Sequence, residues 1–130
     1  MSSVQSYYVI AGMDLSAFKT DKYKGWQWSE AWENYTCNQS RGKIQLFDDP
    51  TYLYIGYILA AGDEYGFNTA MIKPEEIEEH RQRVIEEIKR LVKIGVISEK
   101  VLDSIDYGLI VFCRLQINLS VSYYLKKFLR

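Results

Sequence analysis

Residues 51–62, TYLYIGYILAAG, are apolar at odd and even positions alike. A strand of this kind has no side to give to water, so it belongs inside a sheet with material on both faces. Neighbouring strands are therefore required, and the chain supplies them. Residues 42–47, GKIQLF, alternate with Ile44 and Leu46 on one side. Asp49-Pro50-Thr51 lies between the two runs. Pro50 presets φ for the second position of a turn and the Asp49 side chain can close it, which predicts an antiparallel hairpin. Residues 7–12, YYVIAG, read as a first strand ending at Gly12. Near the other end, LIVFCRLQINLSVS alternates from Cys113, with Cys113, Leu115, Ile117, Leu119 and Val121 on one side. This predicts a long half-buried strand.

The hairpin decides how four carboxylates are read. Asp48-Asp49 and Asp63-Glu64 flank the apolar run. A straight strand at ~3.3 Å per residue would hold the pairs ~30 Å apart, too far for one metal or one proton shuttle. They read as two solvated turns, and no metal or cofactor is called for.

KPEEIEEHRQRVIEEIKRLVKIG, 73–95, predicts one long helix. Pro74 suits its first position, where the missing N–H costs nothing. Glutamates crowd the start and Lys89, Arg90 and Lys93 the end, as the helix dipole prefers. Gly95 supplies the stop. Ile77, Val84, Ile85, Ile88, Leu91 and Val92 form an apolar stripe, while Glu79–Arg83 and Glu86–Arg90 are spaced to pair on the wet side. Ser98 then caps a short helix over EKVLDSID. The helix–Gly–helix outline suggests a DNA reader, but the second helix carries Glu99, Asp103 and Asp106 against Lys100, the wrong sign for phosphate. Segment 13–41 reads as loop with one short element: Ser29 could cap a helical turn reaching Trp32, whereas Trp26 and Trp28 alternate in the manner of a strand. The fold expected is one α+β domain over 1–130, an antiparallel sheet of about four strands covered by one long and one short helix, with 123–130 a tail or docking extension.

At 130 residues the chain fits one domain with a genuine core. A formal net charge of −1 gives no general attraction for nucleic acid or anionic lipid. No apolar run is long enough for a membrane span and the start lacks the features of a signal peptide, so a cytoplasmic setting is expected, with Cys37 and Cys113 as reduced thiols. His80, the single histidine, reads as a surface residue off the apolar stripe, unable to build a zinc site or to activate Cys37. Phosphate loops and hydrolase or metalloprotease signatures are absent from the sequence, which disfavours those enzyme classes.

Aromatic residues make up 15% of the chain, with 11 Tyr and 3 Trp. Tyr and Trp suit core edges and interfaces, because each has a large apolar body and one polar atom. Trp26, Trp28, Trp32 and Tyr35 stand in a segment interleaved with lysines. Interfaces use such residues as anchors, and nucleotide sites interleave aromatic and basic residues in the same way.

The stretch from 7 to about 67, including YYVIAGMDLSAFKTDKYKGWQWSEAWENYTCNQSRGKIQLFDDP and YLYIGYILAAGDEYGF, resembles small uncharacterised proteins of bacteriophages and mobile elements in Gram-positive bacteria. The resemblance implies a class of job, stoichiometric inhibition of host machinery, including anti-restriction and anti-CRISPR factors. It transfers no functional residue. The function expected is a non-enzymatic protein-binding module acting by steric occlusion in the host cytoplasm. It would bind a host protein through Trp26, Trp28, Trp32, Tyr35, Asp48, Asp49, Asp63 and Glu64, with no direct contact to nucleic acid or membrane. The first alternative is a nucleotide binder using Lys22, Lys24, Trp26, Arg41 and Arg114. The second is a homo-oligomer joined through the terminal strand, whose exposed edge invites pairing.

Overall fold

A computed structural model describes residues 3–27, 29, 30, 32, 44–67 and 71–117. Expectations for Trp28, Tyr35, Cys37, Arg41 and segment 123–130 concern positions outside this set.

The chain is α+β. Four strands, β1 (Ser3–Asp14), β2 (Ile44–Asp49), β3 (Tyr52–Asp63) and β5 (Gly108–Ile117), form an antiparallel sheet in the order β2-β3-β1-β5. A two-residue β4 (Gly66–Phe67) pairs with the end of β3. The apolar run expected to be interior is β3, flanked by β2 and β1. The hairpin forms as its residues require: Asp49 opposes Tyr52, and the Asp49 carboxylate accepts the Thr51 N–H at 3.1 Å and its hydroxyl at 3.0 Å.

The sheet does not lie flat. Tyr8 and Phe112 share a rung with Ala61, seven residues along β3 from Tyr54. A straight sheet would keep those rungs roughly 20 Å apart, yet the Phe112 ring centroid is 5.1 Å from Tyr54 and 5.1 Å from Phe47. Strong coiling is needed to bring them together. Gly108, Gly12 and Gly56 stand on one rung across β5, β1 and β3, between the two aromatic groups. A Cβ at Gly12 would sit 1.9 Å from the Ile55 carbonyl oxygen, and one at Gly56 would sit 2.8 Å from Ile10 Cδ1. Only glycine lets the strands bend this closely. The register slips between Val9 and Ile10, leaving Leu59 as an extra residue in β3, and such a bulge adds twist. The concave side is filled by Tyr8, Phe47, Tyr52, Tyr54 and Phe112 in mutual ring contact. Burial raises the pKa of Tyr52 there, and the nearby Arg114 opposes the shift.

The other side holds the main core. Met13, Leu15, Leu46, Leu53 and Ile55 share one buried cluster with Val84, Ile88 and Leu91 of the helical segment, and with Val96, Ile97 and Val101 after it. That segment is the long helix expected, with a bend the sequence reading did not include. It is two pieces, α2 (Pro74–Glu79) and α3 (Arg81–Ile94), bent at His80. The Tyr107 hydroxyl donates to the Ile77 carbonyl, the group an unbroken helix would offer to Arg81 N–H. His80 itself is 9% exposed, not on the surface, with its ring flat on Tyr57 at 3.5 Å. Gly95 ends α3 at φ 94°, donating to the Leu91 and Val92 carbonyls. Arg90 meets Glu87 at 3.5 Å, one residue nearer than the spacing first suggests. The expected second helix is a five-residue 3-10 turn, Glu99–Asp103, capped by the Ser98 hydroxyl.

Segment 16–20 is tied to the end of α3. Thr20 N–H donates to the Val96 carbonyl at 3.1 Å, Ser98 N–H to Phe18 at 2.7 Å, and the Thr20 hydroxyl to Gly95 at 2.6 Å. A short α1 (Asp21–Gln27) follows. No helix among the described residues is long and apolar enough to cross a membrane.

Candidate functional site

Trp26 and Trp32 pack against the core. Trp26 lies on α1, not on a strand, and three-residue spacing puts it beside Tyr23 at 5.8 Å between ring centroids. Trp26 is 9% exposed and meets Trp32 edge-on at 5.0 Å. Ser29 fixes that pair, donating its hydroxyl to the Trp26 carbonyl at 2.6 Å and accepting the Trp32 N–H at 3.3 Å. Trp32 is partly buried against the main cluster. Neither ring stands out as a surface anchor.

Three of the four acidic residues have local work. The Asp48 side chain is 8% exposed; its carboxylate lies 3.7 Å from Lys19 Nζ and accepts from the Gln27 amide. Asp49 closes the hairpin. Asp63 closes the loop after β3, accepting the Tyr65 N–H at 2.9 Å. Glu64 is exposed. The straight-ribbon separation needs correction, because the coil draws the two ends of β3 toward each other. Arg114 shares the Ser6 rung with Asp63, yet its guanidinium donates to the Asp48 carbonyl at 3.0 Å. Even so, the pairs keep separate partners, and no three His, Cys, Asp or Glu side chains group to hold a metal among the described residues.

Among the described residues of the nucleotide alternative, Lys22, Lys24 and Trp26 share α1, and Arg114 donates to the Asp48 carbonyl, beside the carboxylate that accepts from Gln27 at the end of that helix. Lys22 lies against Gly95, where a Cβ would be 3.6 Å from its Nζ. Lys24 is exposed, Trp26 is buried, and Arg114 is turned to the hairpin.

One surface was read incompletely from the sequence. On the main-core side of the sheet, alternation continues along edge strand β5 through Leu109, Val111 and Cys113, opposite Ala11, Val9 and Tyr7. Leu109 is 48% and Val111 70% exposed, and Cys113 is an exposed free thiol. Beside them lies a cavity of about 540 Å³, lined by Tyr7, Asp63, Val111, Phe112 and Cys113. In the sequence the alternation is clean from Cys113 onward, and the same parity runs back to Leu109. An edge strand that has no neighbour on one side among the described residues and carries exposed apolar side chains is suited to receiving another chain. No family model, curated protein or solved structure matches this chain.

Proposed function

We propose that the chain is a non-enzymatic protein-binding module, of the phage- or mobile-element inhibitor kind, that occludes a host protein in the cytoplasm. The observation carrying this reading is the apolar row Leu109–Val111–Cys113 on edge strand β5. Exposed apolar groups aligned on an edge favour a partner that adds a strand and buries the row. The proposed binding therefore shifts from Trp26, which is buried, and Trp32, which is partly buried against it, to β5 and the Asp63-Glu64 loop. The acidic loop suits a basic partner surface, such as one that normally holds nucleic acid. Affinity capture from host lysate tests this with wild type, Val111→Asp and Trp26→Phe. The expected result is one partner recovered by wild type and Trp26→Phe and lost by Val111→Asp. Recovery by Val111→Asp at the wild-type level would overturn it.

The same edge favours a second reading, homo-association through β5. Light scattering across a concentration series separates the two. A dimer that Val111→Asp converts to monomer supports self-pairing, and a monomer throughout leaves the edge to a different protein.

A further inference from the structure

We propose that β5 pairs antiparallel with β5 of a second copy of this chain, about a two-fold axis at Val111 that joins two sheets into one. This rests on the homo-association reading, and a host protein using the same edge would first displace the second copy. β5 has no neighbour on its outer side among the described residues. Its edge can meet its own copy in two symmetric ways. An axis along the strands gives parallel pairing and puts the two apolar rows on opposite faces, leaving both open. An axis perpendicular to the sheet gives antiparallel pairing and keeps the rows on one face, with residues of equal parity opposite each other. With that axis at Val111, Val111 faces its own copy, Leu109 faces the copy's Cys113, Ile110 faces Phe112 and Gly108 faces Arg114. The exposed row Leu109–Val111–Cys113 then meets itself end to end. Charge fixes where the axis falls. Arg114 is the one charged residue of β5, and Gly108 across from it brings no side chain; a Cβ there would meet nothing within 4 Å. An axis at Phe112 sets Arg114 against Ile110, which strips water from the cation without giving it a partner. An axis at Cys113 sets it against Phe112, whose ring is taken by Phe47 and Tyr54. An axis at Ile110 pushes Cys113 and Arg114 past the end of the copy's strand.

Disulfide trapping reads this register directly. Facing residues of antiparallel strands have Cα atoms about 4.5–5.5 Å apart, inside the range of about 4.4–6.8 Å that a disulfide spans. Single-cysteine chains place Leu109→Cys, Val111→Cys or Phe112→Cys on a Cys37→Ser/Cys113→Ser background. Each is oxidised with copper phenanthroline and its cross-linked dimer followed on a non-reducing gel, while light scattering gives the state of the unmodified chain. The unmodified chain is expected to be a dimer. Val111→Cys should cross-link at least about tenfold faster than Leu109→Cys or Phe112→Cys, whose thiols stand roughly 7 Å or more out of line with their own copies. Leu109→Cys with Cys113 retained should regain fast cross-linking, because those two positions face each other. A dimer in which Leu109→Cys or Phe112→Cys alone cross-links as fast as Val111→Cys would overturn the proposal and leave homo-association standing. A monomer at every concentration would overturn both.

Discussion

The main-core side of the sheet has two halves with opposite fates. At one end Met13, Leu53 and Ile55 are at most 2% exposed, sharing a cluster with α3. At the other, Leu109 and Val111 follow the same alternation and stand 48% and 70% exposed. Side-chain parity is equal in both; what differs is position, since Val9 and Ala11 on the same rungs are buried and it is the edge strand beside them that stands open among the described residues. Apolar alternation specifies a face, but coverage depends on how far the rest of the chain reaches. The exposed edge is where the proposed partner would bind.

Several substitutions would break or sharpen this contrast. Ile88→Ala removes a fully buried side chain from the covered half and should cost about 4 kcal/mol, read as a lower urea midpoint at unchanged slope. Gly12→Ala forces a methyl group against the Ile55 carbonyl. It should cost about 3 kcal/mol and, by relaxing the coil, weaken the near-UV circular dichroism of the aromatic group on the concave side. Tyr107→Phe removes the hydroxyl that holds the Ile77 carbonyl at the helix bend and should cost about 1 kcal/mol.

A pH dependence follows from the same tyrosine. Burial, reinforced by Glu78, pushes the Tyr107 phenol up to about 12 from an ordinary value near 10. The unfolded chain thus ionises first. The stability that Tyr107 contributes is complete below pH 10 and lost as pH climbs through 12. Denaturant titrations from pH 9 to 12 should show a smaller decline for Tyr107→Phe than for wild type. Val111→Asp, in the exposed half, should change stability by only about 0.5 kcal/mol, the smallest effect of the set.

The strands, the hairpin and the helix stop were legible because each rests on local chemistry. Pro50 and Asp49 define a turn, Gly95 defines a stop, and alternation defines β5. The bend at His80 was not, because it depends on Tyr107 reaching back to Ile77 and on Tyr57 offering a ring to the imidazole. Those contacts join residues far apart in sequence. Trp26 was misjudged for a related reason: its spacing from Trp28 fits a strand, while its spacing from Tyr23 fits the helix that forms. Gly12 and Gly56 did carry a signal, since glycine inside an apolar strand marks close backbone approach. Only the register shows that they share a rung. For the candidate site, the sequence supplied the edge-strand residues but not their exposure, which is a property of packing.

Thermal unfolding of Val111→Asp beside Ile88→Ala puts the division of the sheet to its simplest test. Val111→Asp should melt within about 2 °C of wild type and Ile88→Ala about 10 °C or more below it. If Val111→Asp fell as far as Ile88→Ala, β5 would be carrying the fold at that position, with no apolar row left over for a partner.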